Sequence, residues 1–85
     1  MDFEKFINVY PIPAKSFLTI EYKLNHSDWI KFYIYDIMGR MVKKIERTGD
    51  KGILMLDLKE FDSGIYFLAF SSTEGEFFKK VVICK

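Results

Sequence analysis

The sequence predicts an all-β fold, a seven-stranded antiparallel immunoglobulin-like β-sandwich, from three observations. Apolar residues recur with a short period, no stretch has a convincing helical period, and turn-forming residues interrupt the chain at short intervals. The 85 residues are expected to form one domain, because two pieces would be too small to close separate cores. Seven short strands at this spacing are typical of an immunoglobulin-like sandwich, and a β-barrel is the alternative.

The predicted strands follow the apolar segments. Pro11 and Pro13 donate no backbone hydrogen bond and are expected to end an edge strand. Leu18, Ile20 and Tyr22 alternate with polar residues, which predicts a half-buried strand. In chain order the predicted strands are Phe6 to Tyr10, Phe17 to Leu24, Trp29 to Tyr35, Met41 to Glu46, Ile53 to Leu58, Ile65 to Ser71 and Glu76 to Cys84.

Three of the segments between strands carry specific turn predictions. Asp36 to Gly39 fits a loop built on a type I turn, with the Asp36 side chain bonding the turn backbone and Gly39 left-handed. Thr48 to Gly52 contains two glycines that suit a hairpin loop with positive φ. Tyr66 follows the corner Glu60 to Gly64, as in a tyrosine corner, where its hydroxyl would bond back to the connecting backbone.

Composition excludes several classes of function. The net charge of +1 gives no field to attract nucleic acid, and no apolar run approaches the length that inserts in a membrane. One His and one Cys cannot form a Cys/His zinc site, and Cys84 has no intrachain partner. His26, Ser27 and Asp28 are adjacent in one polar turn and cannot converge as a hydrolase triad. We therefore expect neither an enzyme nor a cofactor.

Three segments in order carry a family resemblance. They are Val9-Tyr10-Pro11-Ile12-Pro13-Ala14, then Ile34-Tyr35-Asp36-Ile37-Met38-Gly39-Arg40, then Gly64-Ile65-Tyr66-Phe67-Leu68 with the closing Lys79-Lys80-Val81-Val82. Together they resemble the conserved blocks of the C-terminal sorting domains of the type IX (Por) secretion system of Bacteroidetes. The first block usually reads Tyr-Pro-Asn-Pro-Ala, and Ile12 here replaces the Asn, which removes a side chain able to cap the turn.

The resemblance implies a protein-sorting module. Residues 6–85 would be the domain, and residues 1–5 a leader or a remnant of expression. The domain would be fused behind a cargo protein, pass through the periplasm, and be recognised by the outer-membrane machinery. A sortase-like peptidase would then commonly remove it, and the cargo would reach the cell surface or the medium.

The motif residues divide between structure and recognition. A mainly structural role is expected for Tyr10, Pro11, Pro13, Ala14, Asp36, Gly39, Arg40, Gly64 and Tyr66. A receptor contact by Arg40 is the alternative for that residue. The resemblance assigns recognition to the last strand, read by β-augmentation and by charge, through Lys79, Lys80, Val81, Val82, Ile83 and Lys85. Protection of a sheet edge by the lysines is the competing explanation.

A second hypothesis is a small immunoglobulin-like or fibronectin-like module that adheres to glycan or protein. Trp29, Tyr33 and Phe77 would be its contact residues. The two hypotheses differ in a simple way, because a sorting domain is the last domain of its gene and an adhesion module is not restricted to that place. Under either hypothesis, the unpaired edge strands would allow two copies of the domain to exchange strands and form a homodimer.

Overall fold

The computed structural model describes residues 6–25 and 28–85. The predicted leader, residues 1–5, lies outside the described residues, as do His26 and Ser27 of the predicted polar turn. The described part is all-β and consists of β1 (Phe6–Tyr10), β2 (Phe17–Lys23), β3 (Trp29–Tyr35), β4 (Met41–Thr48), β5 (Lys51–Asp57), β6 (Gly64–Ser72) and β7 (Gly75–Ile83).

The strands form two antiparallel sheets, which confirms the sandwich over the barrel. One sheet has the order β1-β2-β5 and the other the order β4-β3-β6-β7. The edge position predicted for β1 is confirmed, and the central β3 alternates buried and half-buried residues along its length. In a constant-type immunoglobulin domain the corresponding sheet has three strands. Here β4 pairs with β3 and adds a fourth strand.

The hairpin predicted at Thr48 to Gly52 is wrong, because the chain changes sheets there. β4 pairs with β3, whereas β5 pairs with β2 in the opposite sheet. Two backbone bonds fix this crossover: Leu24 N donates to Asp50 O at 2.7 Å, and Gly49 N donates to Asp28 O at 3.0 Å. Turn-forming residues predict a change of direction, but they do not determine whether the next strand stays in the same sheet.

The core is mainly aliphatic, although the chain is rich in aromatic residues. Phe32 is fully buried at its centre, and its ring contacts Tyr22 at 5.4 Å and Phe70 at 5.3 Å, both edge to face. Most other core side chains are Leu, Ile or Val from both sheets. Four phenylalanines are instead largely exposed on strand surfaces, namely Phe17, Phe67, Phe77 and Phe78.

The tyrosine corner is confirmed. The Tyr66 hydroxyl donates to the backbone oxygen of Asp62 at 2.8 Å, and the ring packs edge to face on Phe61. The bond ties the start of β6 to the loop that arrives from the opposite sheet. This loop carries two residues, Lys59 and Ser63, that contact the end of the chain.

Gly52 has a role that differs from the predicted one. Of the two loop glycines, Gly49 has a positive φ of 95°, but Gly52 is not among the glycines with positive φ. Gly52 lies in β5 opposite Tyr22, and a Cβ at this position would meet the Tyr22 hydroxyl oxygen at 2.8 Å. Since Tyr22 is buried over this glycine, the constraint at Gly52 is close packing.

Replacing Gly52 with alanine should therefore lower the free energy of unfolding by about 1–3 kcal/mol, the usual result of overpacking. Urea denaturation measures the change. Tyr22→Phe removes the closest of the three atoms that the new Cβ would meet, so the loss caused by G52A should be smaller in the Y22F background. Equal losses in both backgrounds would contradict this account of Gly52.

Candidate recognition surface

The end of β7 is held by the proline-containing segment that follows β1. Ala14 N donates to Val82 O at 2.8 Å, and Cys84 N donates to Ala14 O at 2.8 Å. Ala14 thus forms a parallel bridge opposite Ile83, and it is completely buried. The first family block and the last strand, distant in sequence, meet through these backbone bonds.

A second set of bonds holds the last residue, Lys85. Its backbone N–H donates to Ser63 Oγ at 2.9 Å, and its Nζ donates to the backbone oxygen of Lys59 at 3.0 Å. Both partners belong to the loop between β5 and β6, which the tyrosine corner fixes. Residues 82–85 are therefore anchored from two separate parts of the chain.

The anchoring limits how Val81, Val82 and Ile83 can be recognised. Val81 and Ile83 are each 2% exposed and belong to the core, so their side chains are not accessible in the folded domain. The outward backbone groups of Val82 and Cys84 already bond Ala14. An added strand that pairs with β7 of the folded domain can therefore use only the part of β7 that precedes Val82.

The three predicted recognition lysines do not form one patch. Lys79 and Lys80 are exposed, but as consecutive strand residues they lie on opposite faces. Lys80 lies opposite the exposed Phe67, and Lys79 opposite the fully buried Leu68. Lys85 lies beyond the strand end, separate from both.

Lys85 instead lines a groove with two lysines that no sequence motif singles out. Lys15 and Lys59 line the same groove, together with Ser16, Phe17, Asp57 and Leu58. We refer to Lys15, Lys59 and Lys85 as the basic groove. The fold alone brings these residues together, because Lys15 follows Ala14 and Lys59 follows β5.

The part of β7 before Val82 has an open edge. β7 is one of the two edge strands of its sheet, and the described residues place the Ala14 bridge against its end only. We refer to Glu76–Lys80 as the open segment. Its side chains are all exposed, including Phe77 at 45% and Phe78 at 65%.

The loop between β3 and β4 has the geometry that the sequence predicted. Asp36 Oδ1 accepts from the backbone N–H groups of Met38 and Arg40, each at 2.9 Å, and Gly39 has a φ of 85°. Asp36 Oδ2 accepts from Arg40 Nε at 2.9 Å, although the Arg40 side chain is 78% exposed. Arg40 therefore braces the loop and still presents the outer part of its guanidinium to solvent.

Hydrogen bonding changes the acidity of Asp36. The Arg40 backbone N–H, followed by the Arg40 side chain and the Met38 N–H, holds the pKa of the Asp36 carboxyl below its ordinary value. Partial desolvation opposes this effect without reversing it. The carboxylate form is the one that organises the loop.

The remaining motif residues lie near the segments that the Ala14 bonds join. Tyr10, Pro11 and Pro13 are exposed and lead from the end of β1 to Ala14, and both X-Pro bonds are cis. Gly64 begins β6 with a φ of 156°, directly opposite Ile83. The prolines thus precede Ala14, and Gly64 pairs with the part of β7 that Ala14 holds.

The adhesion hypothesis names Trp29, Tyr33 and Phe77 as contact residues. Trp29 and Tyr33 lie on the outer face of β3, half-buried, with Lys31 Nζ 5.1 Å from the Trp29 ring and Lys44 Nζ 5.9 Å from the Tyr33 ring. Phe77 contacts Phe70, a core residue, on the inner side of its sheet. The structure does not bring the three aromatic residues to one face.

Among residues 6–25 and 28–85, no three His, Cys, Asp or Glu side chains are grouped so that they could hold a metal ion. The same residues contain no helix with the length and apolar character needed to cross a membrane.

Fold and surface together define a small antiparallel β-sandwich domain with an anchored last strand. Residues 8–84 match the family described as secretion system C-terminal sorting domain. The match covers nearly the whole chain, and the chain belongs to this family. It is thus a sorting signal domain, of a family that is in general not catalytic.

Other comparisons add little to this assignment. No curated protein sequence matches the chain. Among solved structures, the crystal structure of a beta-glucosidase from Listeria innocua in complex with glucose is similar, with a TM-score of 0.43 and 14% sequence identity. The similarity covers 96% of this chain and 16% of the beta-glucosidase chain.

Ala14→Pro should loosen the end of β7, because proline cannot donate to Val82 O. We expect a loss of about 1–3 kcal/mol in the free energy of unfolding, the usual result when a buried hydrogen-bonding group loses its partner. Hydrogen exchange of the Cys84 amide, which donates to Ala14 O, should accelerate more than exchange in β3. The neighbouring substitution Lys15→Ala, at an exposed position, is the control and should change neither quantity.

Acidification should open the Asp36 loop only below the ordinary carboxyl range. A carboxyl pKa lowered by folding contributes stability above the unfolded pKa, and that stability is lost as the pH falls through the folded pKa. The amide shifts of Met38 and Arg40 should therefore titrate with a midpoint below 3.8. NMR titration measures this midpoint, and Asp36→Asn should abolish the transition. A midpoint at or above 3.8 would contradict the assigned hydrogen bonds.

Proposed function

We propose that this domain directs a cargo protein fused before it through the type IX secretion system, and that the machinery reads the anchored end of the folded sandwich. The observation that carries the proposal is the family match over residues 8–84. The domain would cross the inner membrane with its cargo, fold in the periplasm, and be recognised at the outer membrane. The cargo would then reach the cell surface or the medium.

The anchored end supports recognition of a folded surface rather than of a free peptide. Val81 and Ile83 are buried, and residues 82–85 bond Ala14, Ser63 and Lys59. A receptor that read these residues as an added strand would first have to break those bonds. Reading the exposed charges around a rigid end avoids that cost and the cost of ordering a flexible tail.

Within this surface we assign charge recognition to the basic groove first, and to Lys79 and Lys80 second. Lys15, Lys59 and Lys85 line one groove together with the carboxylate of Asp57, so the groove has a surplus of positive charge. Lys79 and Lys80 are exposed on opposite faces and present single charges. An acidic surface on the outer-membrane machinery would complement this arrangement.

Removal of the domain by a sortase-like peptidase is part of the same proposal. Peptidases act on extended, accessible backbone, and from Phe6 onward the backbone of β1 is paired with β2. The cleaved bond would therefore precede β1. The cargo would leave without the sandwich.

An export assay tests the proposal. Residues 6–85 are attached to the C-terminus of a periplasm-targeted fluorescent protein in a bacterium with a working type IX system. We expect fluorescence in the medium or on the cell surface. The mass of the released protein should be that of the fusion without the sandwich domain. Retention of the fusion in the periplasm would defeat the sorting function.

Substitutions test the surface better than deletions, because removal of residues 79–85 would also remove Val81 and Ile83 from the core. The triple variant K15Q, K59Q and K85Q should reduce export by about tenfold or more, as expected when several charged contacts are lost. The matched control replaces three exposed lysines elsewhere, Lys23, Lys43 and Lys51, with glutamine and should export normally. Equal export of both triple variants would leave sorting intact and refute the basic groove.

A further inference from the structure

We infer that the open segment of β7 pairs with the same segment of a second copy, in antiparallel register centred on Phe78. The inference concerns the isolated domain and does not depend on the sorting function. It rests on the direction of the backbone groups, on the charge sequence of the segment, and on the limits of the open edge.

The backbone of the open segment presents unpaired groups in a regular pattern. Peptide groups that face a given side of a strand occur at every second residue. The backbone oxygen of Val82 and the backbone N–H of Cys84 point away from β6, because both bond Ala14. By the same alternation, the backbone N–H and C=O groups of Glu76, Phe78 and Lys80 point away from β6, toward the open edge.

Antiparallel pairing about Phe78 uses all three of these residues at once. Phe78 would lie opposite Phe78 of the second copy, and Glu76 opposite Lys80 of the second copy. Each is an exchange of backbone bonds between outward-facing residues, so the pattern of donors and acceptors matches without adjustment. A twofold axis through the centre makes the two halves identical, as in most homodimers.

The side chains are complementary in the same register. Glu76 and Lys80 form two symmetry-related pairs of opposite charge, and opposite charges directly across an antiparallel pair are stabilising. Phe78, which is 65% exposed in the single domain, would contact its symmetry mate at the centre. Aromatic pairs across strands also add stability.

Other registers use fewer residues or introduce conflicts. A register centred on Lys79 would place the two Lys79 side chains opposite each other and would pair Glu76 with Val82, whose outward group bonds Ala14. A register centred on Phe77 would pair Lys80 with Glu74 of the second copy, and Glu74 lies outside β7. The register centred on Phe78 alone fills the interval between the hairpin turn and the Ala14 bridge.

Such pairing would join two four-stranded sheets into a continuous eight-stranded sheet. It would also pair Lys80 with Glu76 of the second copy, so a paired domain would present this lysine with its charge partly neutralised. Pairing would leave the basic groove untouched, since Lys15, Lys59 and Lys85 lie beyond the Ala14 bridge.

A charge exchange tests the register. Sedimentation velocity of the 85-residue chain, from low micromolar to millimolar concentration, should show a reversible monomer–dimer equilibrium. Glu76→Lys or Lys80→Glu alone should each weaken dimerisation by about tenfold, because each change turns attraction into repulsion in two symmetric pairs. The double variant E76K/K80E should restore dimerisation, and circular dichroism should show the same fold for all.

A second variant tests the backbone pairing itself. Phe78→Pro removes an N–H that faces the open edge and is not used by β6, so it should abolish dimerisation with the sandwich still folded. Phe78→Val keeps the N–H and is the control that should retain part of the dimerisation. A chain that stays monomeric at millimolar concentration would overturn the inference. So would a dimer that single charge changes leave intact, as a strand-exchanged dimer would be, or one that the double variant fails to restore.

Discussion

Backbone hydrogen bonds at Ala14 join the two sheets of the sandwich, and much of the rest of the structure depends on them. Ala14 follows β1 of the smaller sheet and bonds β7 of the larger one. The bonds close one side of the sandwich and cover the end of the edge strand β7, and Ala14 itself is fully buried. The prolines before Ala14 direct the chain to this point.

A consequence of this closure is that β7 has two halves with different properties. The second half is core and anchor, with Val81 and Ile83 buried and Val82 and Cys84 bonded outward. The first half has an exposed edge and exposed side chains, among them two phenylalanines. Proteins usually protect such edges with charge, and the lysines at positions 79 and 80 are suited to that role as well as to recognition.

Much of the fold follows from sequence pattern, because alternation and turn residues act locally. The alternation in β2, the loop in which Asp36 accepts from the turn backbone, and the tyrosine corner at Tyr66 were all predictable from adjacent residues. The crossover at Thr48 to Gly52 was not, because the choice of sheet depends on which strand is free to pair. Nor was the packing of Tyr22 over Gly52, which depends on the register between β2 and β5.

The candidate surface was less predictable for the same reason. The family blocks predicted that the last strand is recognised. In the structure, however, the side chains of Val81 and Ile83 are buried. Lys79 and Lys80 lie on opposite faces of the sheet because they are consecutive strand residues. Lys15 and Lys59 join Lys85 only because Ala14 and the loop before β6 converge on the end of β7. No pattern within one segment carries that information.

The Ala14 bridge also makes completion of the sandwich depend on residues 82–84. The residues that close the sandwich are separated by almost the whole domain, so a polypeptide interrupted before position 82 has neither the acceptor for Ala14 N nor the side chain of Ile83 to complete the core. A chain that stops there would therefore leave the sandwich open along one side, with the backbone of the proline-containing segment unpaired and part of the core exposed to water.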